Sequence, residues 1–128
     1  TELADHIKNH GLGTTTWSPL ASGVLTGKYN NGIPEGSRLA SEQWGWLKDL
    51  VLDEEKIAKV RSLGAVADDL GCSMAQLALA WTAMHPHVST VIMGASRLTQ
   101  LQENLEALAV MEKLDDSVMS RIDAILSS

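Results

Sequence analysis

The chain has 128 residues, of which 45% are hydrophobic and 20% charged, with a net charge of −6. That length suits one domain with a real core, and the acidic balance argues against nucleic acid or an anionic membrane surface as the main partner. Cys72 is the single cysteine, which excludes an internal disulfide and points to a reducing, cytoplasmic setting; no leader and no apolar run of bilayer length is expected.

Residues 1–10 read as a short helix, or the end of one that begins upstream, with Leu3 and Ile7 on one face and Gly11 as its stop. Residues 13–17, Gly-Thr-Thr-Thr-Trp, read as a strand, because β-branched and aromatic residues favour it. Residues 18–43 have no sustained period and hold Pro19, Gly23, Gly27, Gly32, Pro34 and Gly36. A loop this long in a compact domain is more often functional than incidental. Trp44 and Trp46 read either as core plugs under this loop or as an interface patch. Asp53 is a cap for a helix with Ile57, Val60, Leu63, Ala67 and Leu70 on its apolar side, ended by Gly71. Ser73 with Gln76 is a capping-box signature, and the helix it opens carries Leu77, Ala80, Trp81 and Met84 and stops before Pro86.

Residues 89–93 then hold a short unalternating apolar run, Val91-Ile92-Met93, preceded by Ser89-Thr90, which reads as a strand buried on both faces, as in a parallel sheet. Gly94 and Ala95 remove side chains at the turn. Ser96 is placed to cap the next helix, whose Leu98, Leu101, Leu105 and Leu108 share one face. Strand, small-residue turn and helix N-terminus together present free N–H groups and a positive dipole end, which is an anion site suited to phosphate. A bare tight connection of the kind many α/β proteins have is the plainer alternative. Asp115 or Asp116 caps a last helix with Val118, Ile122, Ile125 and Leu126.

Strands alternating with helices imply parallel strands and an α/β fold. Two strands alone leave open edges and cannot cover so many apolar helix faces. The expectation is therefore part of a larger sheet; a (β/α)8 barrel needs roughly 250 residues, about twice this length.

Trp17-Ser18-Pro19-Leu20-Ala21-Ser22-Gly23, Gly27-Lys28-Tyr29, Gly94-Ala95-Ser96 and Glu103-Asn104 resemble the C-terminal half of an aldo-keto reductase. Gly32-Ile33-Pro34, Ser37-Arg38, Trp46-Leu47-Lys48-Asp49, Leu70-Gly71-Cys72 and Gln76-Leu77-Ala78 resemble the branch that contains the voltage-gated potassium channel β subunits. The resemblance implies that residues 1–128 are the C-terminal part of a TIM-barrel oxidoreductase domain, with the two strands as its seventh and eighth. It implies NADP(H) at the C-terminal ends of the strands. Carried over by position, Trp17, Ser18, Pro19, Leu20, Ala21 and Ser22 would line the pyrophosphate and ribose, and Lys28 would reach the phosphates. Arg38 would meet the adenine side and the 2′-phosphate, and Gly94, Ser96, Gln100, Glu103 and Asn104 would hold the adenosine end. Gly36 departs from the pattern, since channel β subunits often carry a tyrosine there against the cofactor.

The resemblance also implies hydride transfer to a small carbonyl substrate, with the family's catalytic Asp, Tyr, Lys and His in a first half that this sequence does not contain. It further implies a homotetramer on the cytoplasmic side of a channel, without insertion into the membrane. A non-catalytic, nucleotide-sensing channel subunit is the alternative, and a structural fragment that binds nothing is a third reading. Elsewhere the plainer readings lead. His6 and His10 are surface helix residues at a spacing that can bind metal. His85 and His87 lack the further ligands a metal site needs, and Cys72 is a small structural residue.

Overall fold

The computed structural model describes residues 2–128. In order come α1 (Glu2–His10), β1 (Thr14–Thr16), 3-10 segments at Ala21–Thr26, Arg38–Ala40 and Glu42–Trp44, α2 (Gly45–Val51), α3 (Glu54–Leu70), α4 (Met74–Met84), β2 (Val88–Val91), α5 (Leu98–Leu105), α6 (Ala107–Met111) and α7 (Asp116–Ser127). Residue 1, the first of the expected opening helix, lies outside the described residues.

β1 and β2 pair in parallel, as expected from the alternation of strands and helices, with Thr14 opposite Val88 and Thr16 opposite Val91. Thr15 pairs with Thr90, so Ser89 is an extra residue bulged out of register. The bulge sits beside Gly13, where a Cβ would collide with the Ser89 side chain. Both strands are shorter than their sequence runs. The expectation that residues 89–93 are buried on both faces is corrected: Ser89 and Thr90 are exposed, and Ile92 is 53% exposed. Among the described residues the strand has one neighbour, so nothing shields its second edge.

The main core lies between α3, α4, α6 and α7, where Leu63, Val66, Ala67, Leu77, Ala80, Val110, Leu114 and Ile122 are buried together. Its helices start and stop where local chemistry dictates. The Asp53 carboxylate accepts from the Glu55 amide at 2.8 Å, Gly71 closes α3 in the left-handed region at φ 65, and Ser73 and Gln76 form the reciprocal capping box. Asp115 rather than Asp116 caps α7, accepting from the Val118 amide at 2.9 Å. Trp81 and Met84 are less enclosed than expected, Met84 being 38% exposed.

The stretch after β2 differs from its expected form in two ways. Ser96 does not cap α5; Arg97 is the N-cap and offers no side-chain bond. The helix also breaks at Glu106 into α5 and α6. At the break Gln76 Nε2 donates to the Glu103 carbonyl at 3.1 Å and to the Glu106 carboxylate at 2.8 Å. The Glu106 amide turns back to Glu103 O at 3.2 Å, a tighter bond than a regular α-helix makes. Asn104, Ala107 and Val110 become the packed face, while Leu98 and Leu108 remain 70% and 68% exposed.

A second, smaller core holds the aperiodic stretch: Val24, Tyr29, Leu39, Leu47 and Val60 are buried together, with Trp44 and Met74 packed against them. Trp44 is thus a plug under the loop, whereas Trp46 is 65% exposed. Among the described residues no helix is long and apolar enough to cross a membrane.

Candidate functional site

Parallel pairing brings two loops to one edge of the molecule. β1 ends at Thr16 and β2 at Val91, and the Ile92 amide donates to the Thr16 carbonyl at 2.8 Å, so both strands release their chains at the same level. Open α/β sheets hold ligands beyond these carboxyl ends.

The first loop has an unusual backbone. Ser18, Ala21 and Ser22 have φ of 53, 46 and 58, and they are the non-glycine residues with positive φ among those described. Gly23 follows at φ 96. Left-handed backbone at non-glycine residues is sparsely populated and costs of order 1–3 kcal/mol each, and it gathers where a ligand is clamped. Here the surroundings hold it. The Ala21 amide donates to Ser18 O at 2.9 Å, the Ser22 amide to Ser18 Oγ at 3.3 Å, and the Gly23 amide to Leu20 O at 2.8 Å. Val24, 4% exposed, anchors the segment in the second core. Trp17 stands 81% exposed at the loop's entry, with Pro19 and Leu20 half-buried behind it.

Lys28 returns over this loop. A Cβ at Gly23 would lie 2.8 Å from both Lys28 Cε and Nζ. Thr26 staples the return: its hydroxyl donates to Gly23 O at 2.8 Å and accepts from the Lys28 amide at 3.3 Å. A cation thus stands over a run of turned peptide units, with a cradle that only glycine leaves open. That arrangement suits an anionic oxygen cluster.

In the second loop Gly94 and Ser96 are exposed, and Gln100 Oε1 accepts from both the Ser96 amide and the Ser96 hydroxyl at 3.0 Å. Among the described residues the Gln100 Nε2 donors have no hydrogen-bond acceptor. At the start of α5 the Gln100 backbone amide donates to Arg97 O at 3.1 Å, and among the described residues the Leu98 and Thr99 amides have no intrahelical acceptor. Asn104 is 6% exposed and lies on the packed side of α5, and Glu103 is tied down through its carbonyl by Gln76.

Arg38 is not joined to this group. Its guanidinium lies 5.3 Å from the centre of the Trp44 ring, and no hydrogen bond links it to Ser96 or Gln100 among the described residues. The strand ends thus set out one loop carrying Trp17, Ser18, Pro19, Leu20, Ala21 and Ser22 and a second carrying Gly94 and Ser96, which leads into Gln100, Glu103 and Asn104 on α5. Lys28 covers the first, and Arg38 is parked on its own tryptophan. Sequence reasoning did not single out the strained backbone or the Gly23 cradle. The Ser-Gly pair at 22–23 was its one available signal.

Elsewhere His6 and His10 stack with ring centres 5.8 Å apart, and no group of three metal-ligating side chains occurs among the described residues.

A parallel-stranded α/β chain with an anion-suited loop at its strand ends is the class these features define. The chain belongs to the aldo-keto reductase family: the sequence profile of the Aldo/keto reductase family matches residues 1–127. It is 49% identical over 129 aligned positions to a "Probable voltage-gated potassium channel subunit beta" of Arabidopsis thaliana and to a protein of the same name in Oryza sativa subsp. japonica. Against a "Putative voltage-gated potassium channel subunit beta" of Schizosaccharomyces pombe it is 46% identical over 120 positions. All of this chain takes part in the two plant matches and 92% in the third, but it spans only 39%, 39% and 35% of those relatives' lengths.

Proposed function

We propose that this chain is the NADP(H)-binding, C-terminal portion of a (β/α)8-barrel aldo-keto reductase, and that the full-length protein is a homologue of potassium channel β subunits. The observation that carries the proposal is the Ser18–Ala21–Ser22–Gly23 run of left-handed backbone beneath the Lys28 ammonium, at the end of a strand paired in parallel. The fit is chemical. The Lys28 ammonium over a loop braced by its own amide bonds suits a pyrophosphate, and the exposed Trp17 offers an apolar face beside it. The Gln100 Nε2 group, held in place by the Ser96 amide and hydroxyl on its Oε1, and the Leu98 and Thr99 N–H groups at the start of α5 offer neutral donors for the adenosine end. NADPH, when bound, supplies the hydride for a small carbonyl substrate. This chain's residues bind and orient the nucleotide; the proton donor would come from the other part of the barrel.

Arg38 is the residue proposed to read the 2′-phosphate, through a permanently charged planar fork. It must leave Trp44 to do so, which makes the loop a closing element. Titration of the full-length protein with NADPH and NADH, beside Arg38→Ala, tests this. Loss of one charge-assisted contact, worth about 1.5–3 kcal/mol, should weaken NADPH by about tenfold or more and leave NADH nearly unchanged. Equal losses would mean that Arg38 shapes the loop without reading the phosphate.

The names of the three relatives favour a second reading, in which the nucleotide reports redox state to a channel's cytoplasmic domain from a cytoplasmic tetramer. The two readings separate on the remainder of the protein. A tyrosine and lysine in the family's catalytic positions support turnover, and their loss supports sensing.

A further inference from the structure

We infer that Tyr29 is the positioning residue for the Lys28 ammonium, acting through its ring face and not through its hydroxyl, with Gly23 kept bare to seat the lysine end. The inference rests on the nucleotide-site reading above and adds to it what holds the cation in place. Lys28 is exposed, and no carboxylate forms an ion pair with it among the described residues. Its Nζ instead lies 5.0 Å from the centre of the Tyr29 ring, within range of a cation–π contact. Tyr29 is 3% exposed and fixed among Val24, Leu39, Leu47 and Val60, so the ring is a rigid platform. The hypothetical Cβ at Gly23 meets Lys28 Cε and Nζ at 2.8 Å and Tyr29 Cε2 at 3.5 Å, so three residues share one small volume.

The Tyr29 hydroxyl is buried and has no hydrogen-bond partner among the described residues. An unpaired buried hydroxyl destabilises, so it cannot be what holds this arrangement together. A platform without a carboxylate has a further consequence. It orients Lys28 without neutralising it, so the full charge remains for an anion placed over the loop. An acidic partner would compete with that anion.

The test uses the full-length protein with Tyr29→Phe, Tyr29→Leu, Lys28→Met and Lys28→Met/Tyr29→Leu. Without nucleotide, carbon-13 dimethylated Lys28 is observed by NMR. Its methyl signal should carry a ring-current shift in the wild type and in Tyr29→Phe and lose it in Tyr29→Leu. With NADPH, Tyr29→Leu should weaken binding about three- to tenfold, the size of a cation–π contact, and Tyr29→Phe hardly at all. In the Lys28→Met background Tyr29→Leu should cost nothing further. Full additivity, or equal losses for Phe and Leu, overturns the inference. An unshifted Lys28 signal in the wild type overturns it too, and leaves the nucleotide-site reading standing. A wild type that binds NADPH no better than Lys28→Met overturns that reading of Lys28, while the NMR arm still decides what Tyr29 does. Should Leu at 29 unfold the protein, Tyr29→Met, which keeps bulk without a π face, takes its place with the same expected outcomes.

Discussion

The amide of Ile92 donates to the carbonyl of Thr16 at 2.8 Å, the last bond of the parallel ladder. It sets where each strand hands over to its loop. One residue earlier or later on either side would turn the following side chains to the opposite face, since strands alternate. The candidate site therefore depends on register as much as on its own residues. The bulge at Ser89, made room for by Gly13, helps set that register.

Gln76 is the residue whose loss should be felt furthest. It is 7% exposed, its Oε1 accepts from the Ser73 amide at 2.8 Å, and its Nε2 bonds Glu103 O and Glu106 Oε2. Gln76→Ala removes these and should destabilise the full-length protein by about 2–4 kcal/mol in urea unfolding. Gln76→Glu keeps the shape but sets a carboxylate against an acceptor and the Glu106 carboxylate. The pKa of the introduced carboxyl should be raised in the folded state, so the variant's stability should be greatest at acid pH and fall as pH rises through that pKa. A Gln76→Glu variant as stable as the wild type at pH 7 would contradict this.

Gly23→Ala should act on two levels. At φ 96 an alanine is strained, which costs about 1–2 kcal/mol, and its Cβ takes the place of the Lys28 end. We expect a lower melting temperature together with weaker NADPH binding. Gly36→Ala also meets a positive φ, 73, but has open space around it, so it should cost stability without the same loss in binding. Comparison of the two variants by melts and titrations separates strain from displacement.

Cys72 should behave as an unreactive thiol. Burial pushes its pKa above the usual thiol value, Lys113 pulls it back in part, and Asp68 raises it again. Alkylation by iodoacetamide at pH 8 should be slower than for a free thiol, and it should quicken in Asp68→Asn. The sign for stability follows. The unfolded thiol ionises first, so any contribution is full below the ordinary thiol pKa and is lost as pH rises through the folded one. Faster alkylation than for a free thiol would refute the assignment.

The leucines left bare predict opposite outcomes in two settings. Leu98 and Leu108 are 70% and 68% exposed, with Leu101 and Leu105 between them at 40% and 49%. The isolated chain should bind an apolar dye and elute above its mass of 13.8 kDa. Leu98→Lys with Leu108→Glu should reduce both effects. In the full-length protein, where we propose that barrel elements cover this face, the same pair should destabilise by about 1.5–3 kcal/mol per leucine. A monomeric, dye-silent isolated chain with a sharp melt would refute the first expectation, and a harmless pair in the full-length protein the second.

What the sequence determined by itself was local. Asp53, Gly71 and Ser73 with Gln76 act through bonds within one turn, so residue type and spacing were enough to place the ends of α3 and the start of α4, whereas for α7 they left Asp115 and Asp116 as alternatives. The parallel pairing of β1 with β2 was legible too, because strands alternating with helices favour a parallel sheet. The tertiary structure alone decided the rest. It broke the helix after β2 at Glu106, where the side chain of Gln76 bonds the turn, turned the leucines outward and moved the cap from Ser96 to Arg97. It also drew Val24, Tyr29 and Leu39 into a core that no period announced, and bent Ser18, Ala21 and Ser22 into left-handed backbone beneath Lys28. The reason is physical: such strain persists only when contacts distant in sequence over-determine it.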